Sequence, residues 1–140
     1  MEWFHLIVIG DLVMGLDINF YRQSKLDSSY NEEIGYFRKV NFILTYFNVD
    51  EDLNCERVYI TESQFKQFIA DLDNEIYRKF RYGYNEPVNE KLKTKAVFFG
   101  GSLEYDEFYW NDMQYVCDWA HRAIKDIDWN KDNLYVVAWW

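Results

Sequence analysis

The sequence predicts an α+β domain, a small mixed β-sheet with about three helices packed mainly on one face. Three observations predict it. Segments of period two alternate with longer segments of helical period. The first and last regular segments are both apolar and short enough to be strands. The 140 residues are 49% hydrophobic, with one Pro and six Gly, which gives a core and leaves little material for a linker.

Leu16, Ile18 and Phe20 alternate with Asp17 and Asn19, the pattern of a strand with one wet face. Gln23 to Asn31 is polar and predicts a loop. Ile34, Phe37, Val40, Ile43, Leu44 and Phe47 fall on one stripe, so a helix is expected over 32–47, capped by Asn31. Cys55 to Ile60 predicts a short strand or extended arm. Thr61-Glu62-Ser63-Gln64 is a capping box, and it opens a helix over 62–82. The apolar face of that helix is Phe65, Phe68, Ile69, Leu72, Ile76 and Phe80.

Tyr84 to Lys95 predicts a long mobile loop, and Ala96 to Phe99 a short strand stopped by Gly100 and Gly101. Ser102 or Asp106 opens a third helix over 104–126, with a stripe of Tyr109, Met113, Val116, Cys117, Ala120, Ile124 and Ile127. Leu134 to Trp140 is too apolar for an exposed edge, so it is expected to pair with the first strand. Residues 1–13 read as an N-terminal extension or an extra strand, and 14–140 as the single domain. The apolar run from Trp3 to Ile9 is too short to span a bilayer and lacks the basic flank of a signal peptide.

The formal net charge of −9 disfavours a nucleic-acid groove and favours basic proteins as partners. The chain has no P-loop, dinucleotide fingerprint, nucleophile elbow or HExxH. Cys55 and Cys117 have neither CxxC spacing nor a nearby His pair, which predicts reduced thiols, no metal site and no cofactor. His5 and His121, the two histidines, suggest no Ser-His or Cys-His pairing.

Two clusters are candidates for chemistry. Glu104, Asp106 and Glu107 crowd the start of the third helix, where carboxylates suit the helix dipole; with Tyr84 and Trp110 they are candidate partner-binding residues. Asp17, Tyr36, Arg38, Asn41 and Tyr105 form an alternative set for a polar ligand, with Arg38 and Asn41 expected on one helix face and Arg38 in reach of Glu104 or Asp106.

Met14-Gly15-Leu16-Asp17, the Gly35-to-Asn41 segment, Phe98-Phe99-Gly100-Gly101-Ser102 with Glu104-Tyr105-Asp106-Glu107, and Trp139-Trp140 resemble a family of small phage, prophage and mobile-element proteins. Its members open on an MGLD-type strand and carry a YWRKAN-like helix and an FFFGS…YDEYY-like turn. The resemblance covers most of 14–140 and agrees with a start at Met14. Gly101 extends the turn, and Phe37 stands at a Trp-like position. It implies an accessory protein in the cytoplasm of a bacterial host. The expectation is a non-enzymatic, anti-CRISPR-like inhibitor that binds a basic nucleic-acid-binding defence effector stoichiometrically. The alternatives are a sponge for a nucleotide signal and a small enzyme using the carboxylate-rich turn.

Overall fold

The computed structural model describes residues 15–94 and 104–140. Its regular elements are β1 (Asp17–Ser24), β2 (Asn31–Arg38), α1 (Asn41–Tyr46), β3 (Val58–Ile60), α2 (Glu62–Tyr82), α3 (Glu107–Asp126) and β4 (Asp132–Trp139). The strands form one sheet in the order β2-β1-β4-β3. The α+β class therefore holds, and the three pairings are all antiparallel rather than mixed. The expected Ala96–Phe99 strand and the extension at 1–13 lie outside the described residues.

The end strands pair as their apolar character predicts. β1 lies against β4 from Asp17 opposite Trp139 to Ser24 opposite Asp132, which makes β4 a central strand. Ile18 and Phe20 of β1, with Leu134, Val136 and Ala138 of β4, face the helices and are buried. On the opposite face Tyr21 stacks on Tyr135 with centroids 5.1 Å apart, and Arg57 lies over Tyr135. The Tyr59 hydroxyl donates there to Gln23 Oε1 at 3.0 Å, and that of Tyr135 to Asn31 Oδ1 at 2.9 Å.

The helix expected over 32–47 is instead β2 followed by the single short helix α1, and Asn31 begins a strand rather than capping a helix. A β-bulge produced the misleading pattern. Phe20 pairs with Gly35 and Tyr21 with Glu33, so Ile34 is an extra residue in β2. The insertion turns both Ile34 and Phe37 toward the core, three residues apart, which imitates a helical stripe. Ile34 also turns its carbonyl to the Trp119 indole N–H, which donates to it at 2.6 Å. A Cβ on Gly35 would stand 2.5 Å from the Trp119 ring, so only glycine fits beneath the indole.

α2 begins as its sequence predicts. Thr61 accepts from the Gln64 N–H, and the Gln64 side chain accepts from the Thr61 N–H. Gly83, in a left-handed conformation, ends it. Phe65, Phe68, Ile69 and Leu72 are buried, but Phe80 is exposed, because the apolar stripe stops short of the last turn. On that side of α2 Glu75 is buried instead. Its carboxylate accepts the Val88 and Asn89 N–H groups and pairs with Arg78 at 2.7 Å. The segment expected to be a mobile loop is thereby fastened to α2. It carries a 3-10 turn at Glu90–Leu92 whose Leu92 is buried and whose Leu92 carbonyl accepts from the Tyr109 hydroxyl at 2.6 Å.

Candidate functional site

The junction of β2 and α1 faces the first turn of α3 across a cavity of about 270 Å³. Lys39 takes a left-handed conformation (φ 61°), and its N–H bonds to the Leu16 carbonyl. A lysine is strained in that conformation, which it adopts where the chain turns sharply from strand to helix. Asn41 follows as the first residue of α1 and is buried, with Val40, Phe42, Ile43 and Leu44 around it in sequence. Opposite, Asp106 caps α3 by accepting from the Tyr109 N–H at 3.1 Å.

Lys39, Asn41, Glu104, Asp106, Phe108 and Asp112 are among the residues that line the cavity. Among the described lining residues three are carboxylates and one is an ammonium group, and Glu104 has an interaction of its own. Burial holds the Asp112 carboxyl above its ordinary range, and the neighbouring Asp106 charge raises it further. Asn41 is 5% exposed, yet its Oδ1 has no hydrogen-bond partner among the described residues. An acceptor buried without a donor costs roughly 1–3 kcal/mol. Asn41, whose Oδ1 is itself buried, and Asp112 thus line the same cavity.

The sequence-derived sets are redistributed by the fold. Asp106, Glu104 and Asn41 meet at the cavity, while Glu107 is exposed in the first turn of α3 and does not line it. Trp110 is half-buried; its N–H donates to the Asn85 carbonyl at 3.3 Å and Lys79 lies over its ring. Tyr84 is exposed and packs near Tyr82, just past the end of α2. Asp17, Tyr36 and Arg38 belong to the sheet face away from the helices, where the Tyr36 hydroxyl donates to Asp17 Oδ1 at 2.5 Å. Arg38 ends a strand and shares no helix face with Asn41, so that expected pairing is corrected; Lys39 is the cation beside Glu104 and Asp106. Tyr105 packs edge-on against Tyr109 and accepts from the Thr94 N–H.

Asp112 is not singled out in the sequence, whereas Lys39 stands there in the cluster with Tyr36, Arg38 and Asn41, and Phe108 in the segment after Gly101. The available signal was spacing: Phe108 and Asp112 are four apart on α3, which puts a carboxyl and an exposed ring on one face a turn beyond the capping acid.

A second polar cluster joins α2 to α3. Cys117 and His121 are four residues apart on α3 and both meet Asp73 of α2. The Cys117 thiol donates to Asp73 Oδ1 at 3.1 Å, and His121 Nε2 lies 2.9 and 3.0 Å from the two carboxylate oxygens. Burial and then the Asp73 hydrogen bond push the thiol pKa up to about 12, so Cys117 is protonated and is no nucleophile at neutral pH. Cys117 and His121 are thus joined through Asp73: the Cys-x-x-x-His spacing is a single helical turn, and folding supplies the third member from another helix.

No helix among the described residues is long and apolar enough to cross a membrane. Comparison of the chain with protein-family models, with curated proteins and with solved structures finds no match.

Proposed function

We propose that the protein is a binding module that accepts a cationic side chain, foremost arginine, from a basic protein partner. The unpartnered Oδ1 of buried Asn41, in a cavity shared with Asp106 and Asp112, carries this reading. A guanidinium offers five N–H donors in a fixed fork. It supplies the donor that Asn41 lacks and the positive charge that the Asp106–Asp112 pair lacks. Phe108, 70% exposed at the rim, offers a ring to the aliphatic stem or the guanidinium plane.

Size and sign disfavour the alternatives. Sites for drug-sized ligands run from about 300 Å³ upward. The present cavity holds a side chain better than a nucleotide, and a phosphate would meet three carboxylates in it. A net charge of −9 steers basic partners toward the protein, and salt screens that steering. The partner class that fits is a protein with an exposed basic groove, such as a nucleic-acid-binding effector. Occupying its arginines would block nucleic acid by competition. With the family resemblance, the specific form is a stoichiometric inhibitor of a bacterial defence effector.

The test uses an arginine-rich peptide and its citrulline counterpart, titrated into the protein. Binding of the arginine peptide that disappears in Asn41→Leu and weakens in Asp112→Asn supports the cavity as the receptor. Equal binding of the citrulline peptide, or binding indifferent to both substitutions, sinks it. A nuclease-protection assay with a basic defence effector then separates inhibition from mere association. Glu104, Asp106 and Glu107 are poor targets for simultaneous neutralisation, because Asp106 also caps α3 and its loss lowers stability as well.

A further inference from the structure

The Asp73–Cys117–His121 cluster shares no residue with the acidic cavity and serves no purpose in arginine binding. Its ligand atoms all lie within 4.8 Å of one another. They come from two helices that the core holds in place, since Leu72 beside Asp73 and Val116 beside Cys117 are fully buried. One ligand is a sulfur, one an imidazole nitrogen and one a carboxylate oxygen. We propose that these three residues bind a divalent transition-metal ion, with zinc the best match.

The donor chemistry selects the ion. Magnesium and calcium take oxygen ligands and would find one here, whereas zinc accepts Cys, His and Asp together. Charge supports the choice: a thiolate and a carboxylate neutralise a dication, and a neutral imidazole leaves the balance unchanged. Distances support it too. Metal–sulfur bonds of about 2.3 Å and metal–nitrogen or –oxygen bonds of about 2.0 Å place tetrahedral ligand atoms roughly 3.3 to 3.5 Å apart. The two Asp73 separations, 2.9–3.1 Å, are those of hydrogen bonds, and the third pair, Cys117 Sγ and His121 Nε2, lies within 4.8 Å, so the ion requires the Cys117 and His121 side chains to close on it.

The ion takes the place of the two shared protons. The Cys117 thiol proton leaves to solvent. The proton that His121 Nε2 shares with Asp73 leaves that nitrogen, to solvent from an imidazolium or by exchange to Nδ1 in the neutral ring, which frees the Nε2 lone pair for the metal. Binding is therefore favoured by rising pH. His121 and Asp73 are each about half exposed, at 49% and 50% of their side-chain surface, while Cys117 is buried beneath them. An ion approaching from solvent thus reaches the sulfur between them, and a fourth coordination position faces outward to water or to a donor from a partner.

Cobalt(II) is the probe, added to the full-length protein after chelator treatment. The expected result is uptake of one equivalent with a thiolate-to-cobalt charge-transfer band, and its displacement by zinc. Cys117→Ser is expected to abolish the band, and His121→Gln to abolish stoichiometric uptake. Cys55→Ser, which removes the other, exposed thiol, is expected to keep both. Zinc in excess should also raise the melting temperature of the parent and not of His121→Gln. His121 is on the surface, so this variant remains folded even where Cys117→Ser does not. Absence of a charge-transfer band in the parent at saturating cobalt overturns the proposal, as does a band that survives Cys117→Ser or uptake that survives His121→Gln. Because no residue is shared with the cavity, failure here leaves arginine binding intact, and the converse also holds.

Discussion

Glu75 and Asn41 are both polar, both almost fully buried and both near the packing of α3 against the rest of the domain, yet their surroundings differ in kind. Glu75 is saturated: two backbone N–H groups and Arg78 converge on its carboxylate. Among the described residues nothing donates to Asn41 Oδ1, and Asp112, raised by burial and by the Asp106 charge, shares its cavity. A buried acid with both oxygens engaged fastens a loop, whereas a buried acceptor left empty beside a cavity is a place prepared for something else. The cavity matters to this contrast. The Trp129 indole N–H is also buried without a partner, but it does not line this opening, and nothing about it points to a ligand.

The largest expected effect lies on the saturated side. Glu75→Leu strands the Val88 and Asn89 N–H groups and is expected to cost about 3–5 kcal/mol in chemical denaturation, the scale for breaking a buried charged pair. Glu75→Gln retains one oxygen acceptor and is expected to lose clearly less. Hydrogen exchange should show the amides of Val88 and Asn89 opening first in Glu75→Leu. A loss below about 1 kcal/mol would erase the distinction between the two sites, since both would then be dispensable.

Gly35→Ala comes next and tests a packing contact rather than a polar one. The added methyl meets the Trp119 ring, whose N–H is itself held by the bulge carbonyl, so the ring cannot retreat without breaking that bond. Overpacking of this kind costs about 1–3 kcal/mol. Thermal unfolding checks it, and an unchanged melting temperature would mean that the indole has room to move.

This bulge also marks the limit of what the sequence discloses. The capping box at Thr61, the cap at Asp106, the apolar alternation of β1 and the pairing of the two end strands follow from local chemistry, and each is legible in the order of residues. The bulge at Ile34 is set by Trp119, a residue 85 positions away, and its effect on the pattern mimics a helix. Glu75 reads as one more charge on a helix rich in charge, because its partners belong to a loop 13 residues on. At the cavity the sequence reveals Asn41, Glu104 and Asp106 as polar residues of interest. Only the meeting of α1 with α3 shows that they share a space with Asp112, and only folding leaves Asn41 without a donor. The Asp73–Cys117–His121 cluster is half visible, as a Cys and a His one helical turn apart, and its third member arrives by tertiary packing.

On the unsaturated side the expected sign reverses. Asn41→Leu removes an acceptor that has no partner and fills similar volume with apolar atoms, so the fold should gain about 1 kcal/mol while arginine-peptide binding is lost. Denaturant midpoints and peptide titration together check this. A variant that is destabilised instead would show that Asn41 supports the fold, and the contrast with Glu75 would collapse.

The smallest effect concerns Asp112 and its dependence on pH. Burial and the Asp106 charge hold the Asp112 carboxyl above its ordinary value in the folded protein, while in the unfolded chain it titrates near about 3.9. The folded state therefore keeps this proton longer than the unfolded state does. As pH rises through that window, ionisation favours the unfolded chain and stability falls; above the folded value the penalty is complete and constant. Asp112→Asn should accordingly stabilise the free protein at neutral pH by about a few tenths of a kcal/mol, because the group is only half-buried and solvent screens it. The gain should vanish once the pH drops below the ordinary carboxylate range. Lys39, Glu104 and Asp106 face the same cavity, so the measurement is repeated with Lys39→Met to show how much of the penalty Lys39 already offsets. Saturating arginine peptide should invert the result: with a cation in place the Asp112 charge becomes favourable, and the parent, not Asp112→Asn, should gain more in melting temperature. A variant that gains equally at acid and neutral pH would show that charge at Asp112 is not what distinguishes this cavity from the saturated carboxylate of Glu75.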